Sequence, residues 1–141
     1  MIDQARTGSY TSSIKRKQLI NSLEDKEYRR AFASDIGTGL AFQIRFLREK
    51  RGWTQGELAR RLGKVQATIS EWENPNYRSY TLKTLAQIAD AFDVGLIVKL
   101  ASFGEMVEWQ VGLTPRQIAP PSFEEQRESL HRIADRHSTS N

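Results

Sequence analysis

The chain has 141 residues, of which 38% are hydrophobic and 27% charged, and it contains no cysteine. This length suffices for one compact core with tails. The absence of cysteine excludes disulfides and thiolate metal sites. The sequence predicts neither a membrane span of roughly 20 apolar residues nor a secretory signal. The net charge of +4 is uneven, because residues 40–92 hold nine Lys or Arg against five Asp or Glu, residues 1–39 seven against five, and residues 93–141 five against seven.

The first 39 residues predict an extension in front of the main domain. Residues 1–21 are polar and contain the basic trio Lys15-Arg16-Lys17, which is typical of a disordered or partly helical basic arm. The trio is either an arm for DNA phosphates or a solvated helix end. Residues 22–39 carry apolar side chains at helical spacing and predict a helical extension.

The middle of the chain predicts three helices separated by sharp turns. Apolar residues recur at i, i+4 and i+7 within residues 40–50, which predicts a helix that ends at Gly52. A short helix over residues 55–61 follows, with Thr54 as its N-cap, and a second covers residues 65–73 after a turn at Gly63. Their inward positions are apolar or small: Leu58, Ala59, Leu62, Ile69 and Trp72.

Many residues of this region match one known pattern at the correct spacing. They are Arg48, Gly52-Trp53-Thr54-Gln55, Glu57-Leu58-Ala59, Gly63, Gln66, Ile69-Ser70-Glu71-Trp72-Glu73-Asn74, Leu82, Leu85 and Ala89. The pattern resembles the Cro/repressor-type helix-turn-helix family, also called the xenobiotic-response-element type, which includes antitoxin-like members. The resemblance covers roughly residues 40–95 and implies a lambda-repressor-like DNA-binding domain at residues 40–93.

The domain ends with one more predicted helix, after which the pattern changes. Thr81 is the expected N-cap of a helix over residues 82–92, whose inward positions are Leu82, Leu85, Ile88, Ala89 and Phe92. Alternating apolar residues predict a strand over residues 94–100, and residues 106–109 are its candidate partner. Because one or two strands are not stable alone, they either pack on the helices or pair with a second subunit, and we expect a dimer contact at residues 94–110.

The last segment, residues 111–141, contains three prolines and few apolar residues. It predicts a flexible tail, with either a short helix from Ser122 through about Ala134 or a frayed end. The whole chain is therefore expected to be mainly α: four to five helices of the DNA-binding domain, an N-terminal helical extension and one or two C-terminal β-strands.

The resemblance also implies which residues read DNA bases. By position they are Gln66, Ala67 and Glu71, with Val65 and Thr68 beside them. Glutamine pairs with adenine, small apolar groups contact the thymine methyl, and a carboxylate accepts a hydrogen bond from cytosine. A second interpretation of Glu71 is an intramolecular ion pair with Arg60 or Arg78. A second interpretation of Ala67 is that it is only a spacer.

Other residues of this region are expected to contact DNA phosphates or to stabilise the fold. The candidate phosphate contacts are Gln55, Gly56, Lys64, Asn74 and Arg78. Gly56 replaces a good helix former, which indicates close approach of a backbone or phosphate. Arg48 and Glu73 match a partly buried ion pair of the family and are expected to be structural.

We therefore expect a sequence-specific regulator that binds double-stranded DNA, acts as a repressor and forms a cytoplasmic, nucleoid-associated homodimer. The alternative is an antitoxin of a toxin–antitoxin pair, which binds a protein toxin as well as its own operator. The N-terminal extension and the acidic, partly apolar stretch at residues 106–133 are candidate toxin-binding segments. The sequence contains no metal-ligand cluster, phosphate loop or nucleophile–base set, so we expect no enzyme activity, metal, cofactor or membrane partner.

Overall fold

The computed structural model describes the backbone of residues 4–138 and the side chains of residues 11–138. This part of the chain is helical throughout, with irregular connections and no strand. The helices are α1 (Gln4–Ser22), α2 (Lys26–Ser34), α3 (Gly37–Lys50), α4 (Gln55–Leu62), α5 (Gln66–Trp72), α6 (Leu82–Phe92), α7 (Phe103–Val111), α8 (Pro115–Ile118) and α9 (Phe123–Ser138). None of these helices is long and apolar enough to cross a membrane.

The mainly helical fold is confirmed, but the strand predictions are wrong. Residues 106–109 lie inside α7, which Ser102 opens by accepting a hydrogen bond from the backbone N–H of Glu105 at 3.1 Å. Residues 94–100 are irregular, and the backbone groups of residues 95–101 make no hydrogen bond to any other residue in the range 4–138. An alternating pattern alone does not make a strand, because a strand also needs a neighbour for its N–H and C=O groups.

The described chain divides into two compact units. One unit contains residues up to 36 and residues 98–114. Within it α1 packs on α7, Val107 is buried, and Arg16 donates two hydrogen bonds to Glu108 at 2.8 and 3.2 Å. Arg16 of the basic trio therefore stabilises this helix pair. Asp25 is the N-cap of α2 and accepts a hydrogen bond from the backbone N–H of Tyr28.

The second unit, residues 37–97 and the chain from Pro115 onward, contains the main core. Helices α3 to α6 contribute most of its buried residues: Ile44, Leu47, Leu58, Ala59, Ile69, Trp72, Ile88, Phe92 and Ala119. Trp53 stacks on Phe92 with ring centroids 5.4 Å apart, and the guanidinium of Arg61 lies 4.0 Å from the centroid of the Trp53 ring. One inward assignment is wrong, because Leu82 is 63% exposed. It occupies the first position of α6, where the helix has only begun to cover the core.

The end of α6 anchors the C-terminal segment. Asp93 adopts a left-handed conformation with φ of 57° and ends α6. Its carbonyl accepts a hydrogen bond from the backbone N–H of Phe123 at 2.9 Å, and its carboxylate accepts one from the backbone N–H of Glu124 at 3.4 Å. Ser122 accepts another from Glu125, as its predicted role at a helix start requires. These contacts satisfy the free N–H groups at the start of α9, and α9 continues past the expected end at Ala134 to Ser138.

Tyr80 gives the fold a testable dependence on alkaline pH. Its hydroxyl donates to the carbonyl of Trp72 at the end of α5, and burial raises the pKa of Tyr80 to about 12. Because this pKa lies above the ordinary value of 10.0, the stabilising contribution is complete below pH 10 and is lost as the pH rises through 12. We expect Tyr80→Phe to reduce the free energy of unfolding by about 1 kcal/mol at pH 8. The difference from the original chain should shrink between pH 10 and 12.

Urea unfolding at pH 8, 10, 11 and 12 measures this difference. Tyr28→Phe is the matched control, since the Tyr28 side chain is 42% exposed and lies in the other unit. A gap between Tyr80→Phe and the original chain that stays constant over this pH range would show that Tyr80 does not titrate with the fold.

Candidate nucleic-acid interface

Helices α4 and α5 form a helix-turn-helix because each end of the connection is locally stabilised. Thr54 opens α4 by accepting a hydrogen bond from the backbone N–H of Glu57 at 3.1 Å. Gly63 closes it with φ of 64°, and the next N–H, that of Lys64, bonds the carbonyl of Ala59 at 2.8 Å. A residue with a side chain would be strained at this φ. The chain therefore turns within three residues and enters α5 at Gln66.

Helix α5 separates its residues into a buried face and an exposed face. Ile69 and Trp72 are 0% and 5% exposed and lie in the core. Gln66, Ala67 and Glu71 are all exposed, and their i, i+1 and i+5 positions bring them to one side of the helix. These are the three residues that the resemblance assigns to base reading, so the structure brings them together on an accessible face.

The flanking base-reading candidates have different environments. Val65 is the N-cap of α5, although the sequence predicts it as the first helical residue, and it is 67% exposed. Thr68 is half-buried between the two faces. Of the pair, Val65 is the more accessible to a groove.

Glu71 has no ion pair with any residue in the described chain. Arg60, one of its two expected partners, instead pairs with Glu57 at 2.8 Å, and this hydrogen bond lowers the pKa of Glu57 and raises the pKa of Arg60. Arg78, the other expected partner, donates hydrogen bonds to the carbonyls of Pro75 and Tyr77 in its own loop. The interpretation of Glu71 as an intramolecular partner is therefore wrong, because closer acceptors engage both arginines.

Much of the positive charge in this region is internally neutralised. Several arginines of the range 40–92 lie within 4.0 Å of a carboxylate, among them Arg45, Arg48, Arg51, Arg60 and Arg61. By contrast, Lys64 in the turn has no ion pair to any described residue and is exposed. Lys64 is consequently the available cation nearest to α5. Because many arginines are paired, the net charge of this region overstates the positive charge that is available to bind DNA.

The start of α4 borders a polar cleft of about 330 Å³. Gln55 lines it, together with Ser70 of α5 and the side chains Arg45, Arg48 and Glu73. The first backbone N–H groups of a helix have no intrahelical partner, so this edge favours negatively charged groups. Arg45 lies here although it is not among the residues that the sequence pattern selects. The sequence signal that could have selected Arg45 is its position one helical turn before Arg48, which places both side chains on the same face of α3.

Two further phosphate candidates lie close to this surface. A Cβ atom on Gly56 would meet only Thr54 Oγ1, at an ordinary 3.8 Å, so no group of the described chain requires glycine at this position. Asn74 follows α5, and its side-chain carbonyl accepts a hydrogen bond from the backbone N–H of Asn76 at 2.9 Å. Its amide donors consequently point away from that turn.

An ion pair behind this surface links the elements that position α5. Arg48 donates to the two carboxylate oxygens of Glu73 at 2.8 and 2.9 Å and to the carbonyl of Trp53 at 2.8 Å. The side chains of Arg48 and Glu73 are 12% and 5% exposed. The hydrogen bond to Glu73 raises the pKa of Arg48, so the guanidinium stays charged. The pair joins α3, the start of α4 and the end of α5.

Residues 44–98 match the family model described as Helix-turn-helix. The chain is 41% identical over 59 residues to Antitoxin HipB of Escherichia coli strain K12, an alignment that covers 42% of this chain and 66% of the relative. It is 39% identical over 59 residues to Antitoxin HipB of Escherichia coli O6:H1 strain CFT073, an alignment that covers 42% of this chain and 62% of that relative. The chain thus spans somewhat less than two thirds of the curated relatives it matches. No solved structure matches the chain.

The Arg48–Glu73 pair can be tested by a double-mutant cycle. We expect Glu73→Leu to lower the free energy of unfolding by about 3–5 kcal/mol, because it leaves the buried guanidinium of Arg48 unpaired. Arg48→Met with Glu73→Leu should cost clearly less than the sum of the two single changes, since neither charge is then left alone. Urea unfolding of the four proteins gives the coupling energy, and strictly additive losses would contradict a coupled pair.

Proposed function

Since residues 44–98 of this chain form a helix-turn-helix domain of the Cro/repressor type, we propose that the protein is a sequence-specific regulator of transcription that binds double-stranded DNA. The observation that carries the proposal is the accessible face of α5. It presents Gln66, Ala67 and Glu71, whose side chains make no hydrogen bond or ion pair to any residue that the structure describes, while Ile69 and Trp72 fix the helix from behind.

In this proposal α5 lies in the major groove. The Gln66 amide pairs with the N6 and N7 edge of an adenine, and Ala67 and Val65 contact thymine methyl groups. Glu71, one helical turn after Ala67, accepts a hydrogen bond from cytosine N4. Thr68 lies at the edge of this set and contacts the groove wall.

Backbone contacts set the register of α5 on the duplex. The start of α4, with Gln55 and Gly56, faces one phosphate, and Arg45 lies beside it on the same polar cleft. Lys64 and Asn74, at the two ends of α5, contact phosphates on either side. Arg78 supports the loop after α5 through its carbonyl contacts and approaches the backbone from there.

The regulator acts as a homodimeric repressor in this proposal. Residues 95–101 support a dimer, because their backbone groups are unpaired within the described chain, and Ile97 and Leu100 are 85% and 101% exposed. Exposed apolar side chains of this size are suited to burial against a second copy. Two subunits would then place their α5 helices in half-sites about 34 Å apart.

A second candidate function is that of an antitoxin, because both curated relatives carry that name. The observation that favours it is the exposed aromatic surface of α7, where Phe103 and Trp109 are 41% and 59% exposed. A toxin of the corresponding kind, coexpressed with the chain, distinguishes the functions. Trp109→Ser should abolish neutralisation and leave DNA binding intact if α7 binds the toxin.

Gln66→Ala tests the base-reading role. We expect the preference for adenine at one position of each half-site to disappear, which corresponds to about 1–3 kcal/mol of discrimination. Selection from a random duplex library at physiological salt, followed by titration of single-site variants, measures this preference. Gln87→Ala, which changes an exposed glutamine on α6, is the matched control. Unchanged preference in Gln66→Ala would remove Gln66 from the set of base readers.

Gly56→Ala separates stability from DNA binding. The chain has space for the added methyl group, and alanine is favoured over glycine in a helix by roughly 1 kcal/mol. We expect the free energy of unfolding to rise by about that amount while affinity for the selected operator falls, because the methyl group obstructs the phosphate at the start of α4. Thermal unfolding and operator titration measure both quantities. A stabilised protein with unchanged affinity would place the phosphate elsewhere.

A further inference from the structure

A concave site on the C-terminal helices has no part in the proposed DNA contacts. It has a volume of about 370 Å³ and lies between α8 and one face of α9. Gln126, Ser129, Leu130 and Ile133 follow the i, i+3, i+4, i+7 spacing of a single helix face, and Arg116 of α8 forms the opposite wall. The site belongs wholly to the unit that contains the main core.

The charge of this site is one-sided. Arg116, Arg132 and Arg136 line it, and no carboxylate does. Arg116 and Arg132 make no ion pair or hydrogen bond to any residue that the structure describes. Arg127, on the same helix, shows the contrast because it pairs with Glu124 at 2.8 Å. Two guanidinium groups with free donors facing one concavity are suited to an anion, and their planar donor pairs match a carboxylate.

The other half of the site is apolar. Leu130 and Ile133 are 39% and 51% exposed although each has a large aliphatic side chain. A bare inorganic anion would leave this aliphatic surface in water, whereas a ligand with a hydrocarbon body would cover it. The volume also falls within the range of roughly 300–1,000 Å³ that is usual for small-molecule sites.

We propose that this site binds a small amphiphilic carboxylate, with the anionic group between Arg116 and Arg132 and the hydrocarbon body over Leu130 and Ile133. The ligand is an organic acid rather than inorganic phosphate, because an organic acid occupies both the charged and the apolar half of the site. This proposal is independent of the DNA-binding role, since none of these residues belongs to α4 or α5.

Octanoate titrated into the full chain is the direct probe, with methyl-labelled Leu and Ile followed by NMR. We expect saturable shifts of the Leu130 and Ile133 methyl signals at one site per chain. Acetate lacks the hydrocarbon and octanamide lacks the charge, so each should bind at least about tenfold more weakly than octanoate, a difference of roughly 1.4 kcal/mol.

Substitutions test whether Arg116 and Arg132 bind the carboxylate of octanoate. Arg116→Gln combined with Arg132→Gln should weaken octanoate at least about tenfold. Arg127→Gln, which removes an arginine of α9 outside the site, should leave the affinity unchanged. The methyl signals of Ile69 and Ile88 in the core report whether each variant keeps the fold.

Three results would overturn the proposal. The first is octanamide binding as tightly as octanoate, and the second is unchanged octanoate affinity in the folded double variant. The third is the absence of saturable shifts at Leu130 and Ile133. Each of these readouts is independent of operator binding, so failure here and failure of the proposed DNA-binding function are separate outcomes.

Discussion

The helix-turn-helix depends on one partly buried ion pair. Arg48 holds both carboxylate oxygens of Glu73 and the carbonyl of Trp53. Arg48 lies in α3, Glu73 lies at the end of α5, and Trp53 directly precedes Thr54, the N-cap of α4. A guanidinium with fixed planar donors can satisfy three acceptors in one geometry, which a flexible ammonium group does less well. The orientation of α5 is therefore set at its C-terminal end by electrostatics and along its length by the packing of Ile69 and Trp72.

This anchoring leaves the opposite face of α5 accessible. Gln66, Ala67 and Glu71 are exposed and contribute nothing to the core, so they can be exchanged without loss of the fold. The adjacent arginines behave differently, since most pair with carboxylates of the same unit. A surface that recognises nucleic acid here depends on a few available donors and on the start of α4 more than on an extended basic patch.

The C-terminal segment is attached to the same unit by a capping arrangement. Asp93 ends α6 in a left-handed conformation and at the same time bonds the first N–H groups of α9. Arg51 adds a hydrogen bond to the carbonyl of Phe92, at 2.9 Å. One residue thus serves two helix ends, and the concave arginine-lined site between α8 and α9 follows from the position that this arrangement gives α9.

The sequence by itself determined the helices of the central domain and the caps of α4 and α6, because these depend on local spacing and on residue types with few alternatives. The Arg48–Glu73 pair, 25 residues apart in sequence, was implied by the family resemblance. Thr54, Gly63 and Thr81 act within one turn of their own position, where periodicity and capping chemistry are informative. The outward position of Ala67 and Glu71 follows from the same 3.6-residue period. The strand at residues 94–100 was wrong, because the alternating pattern has no partner within the described chain.

Only the tertiary structure decided which polar groups meet across the chain. Whether Asp93 caps α9 and whether Arg116 faces Arg132 depend on distances between elements that are separate in sequence. Several partners of equal chemical suitability were present for each group. The packing of the core places one of them within hydrogen-bonding distance, and local pattern holds no record of that choice.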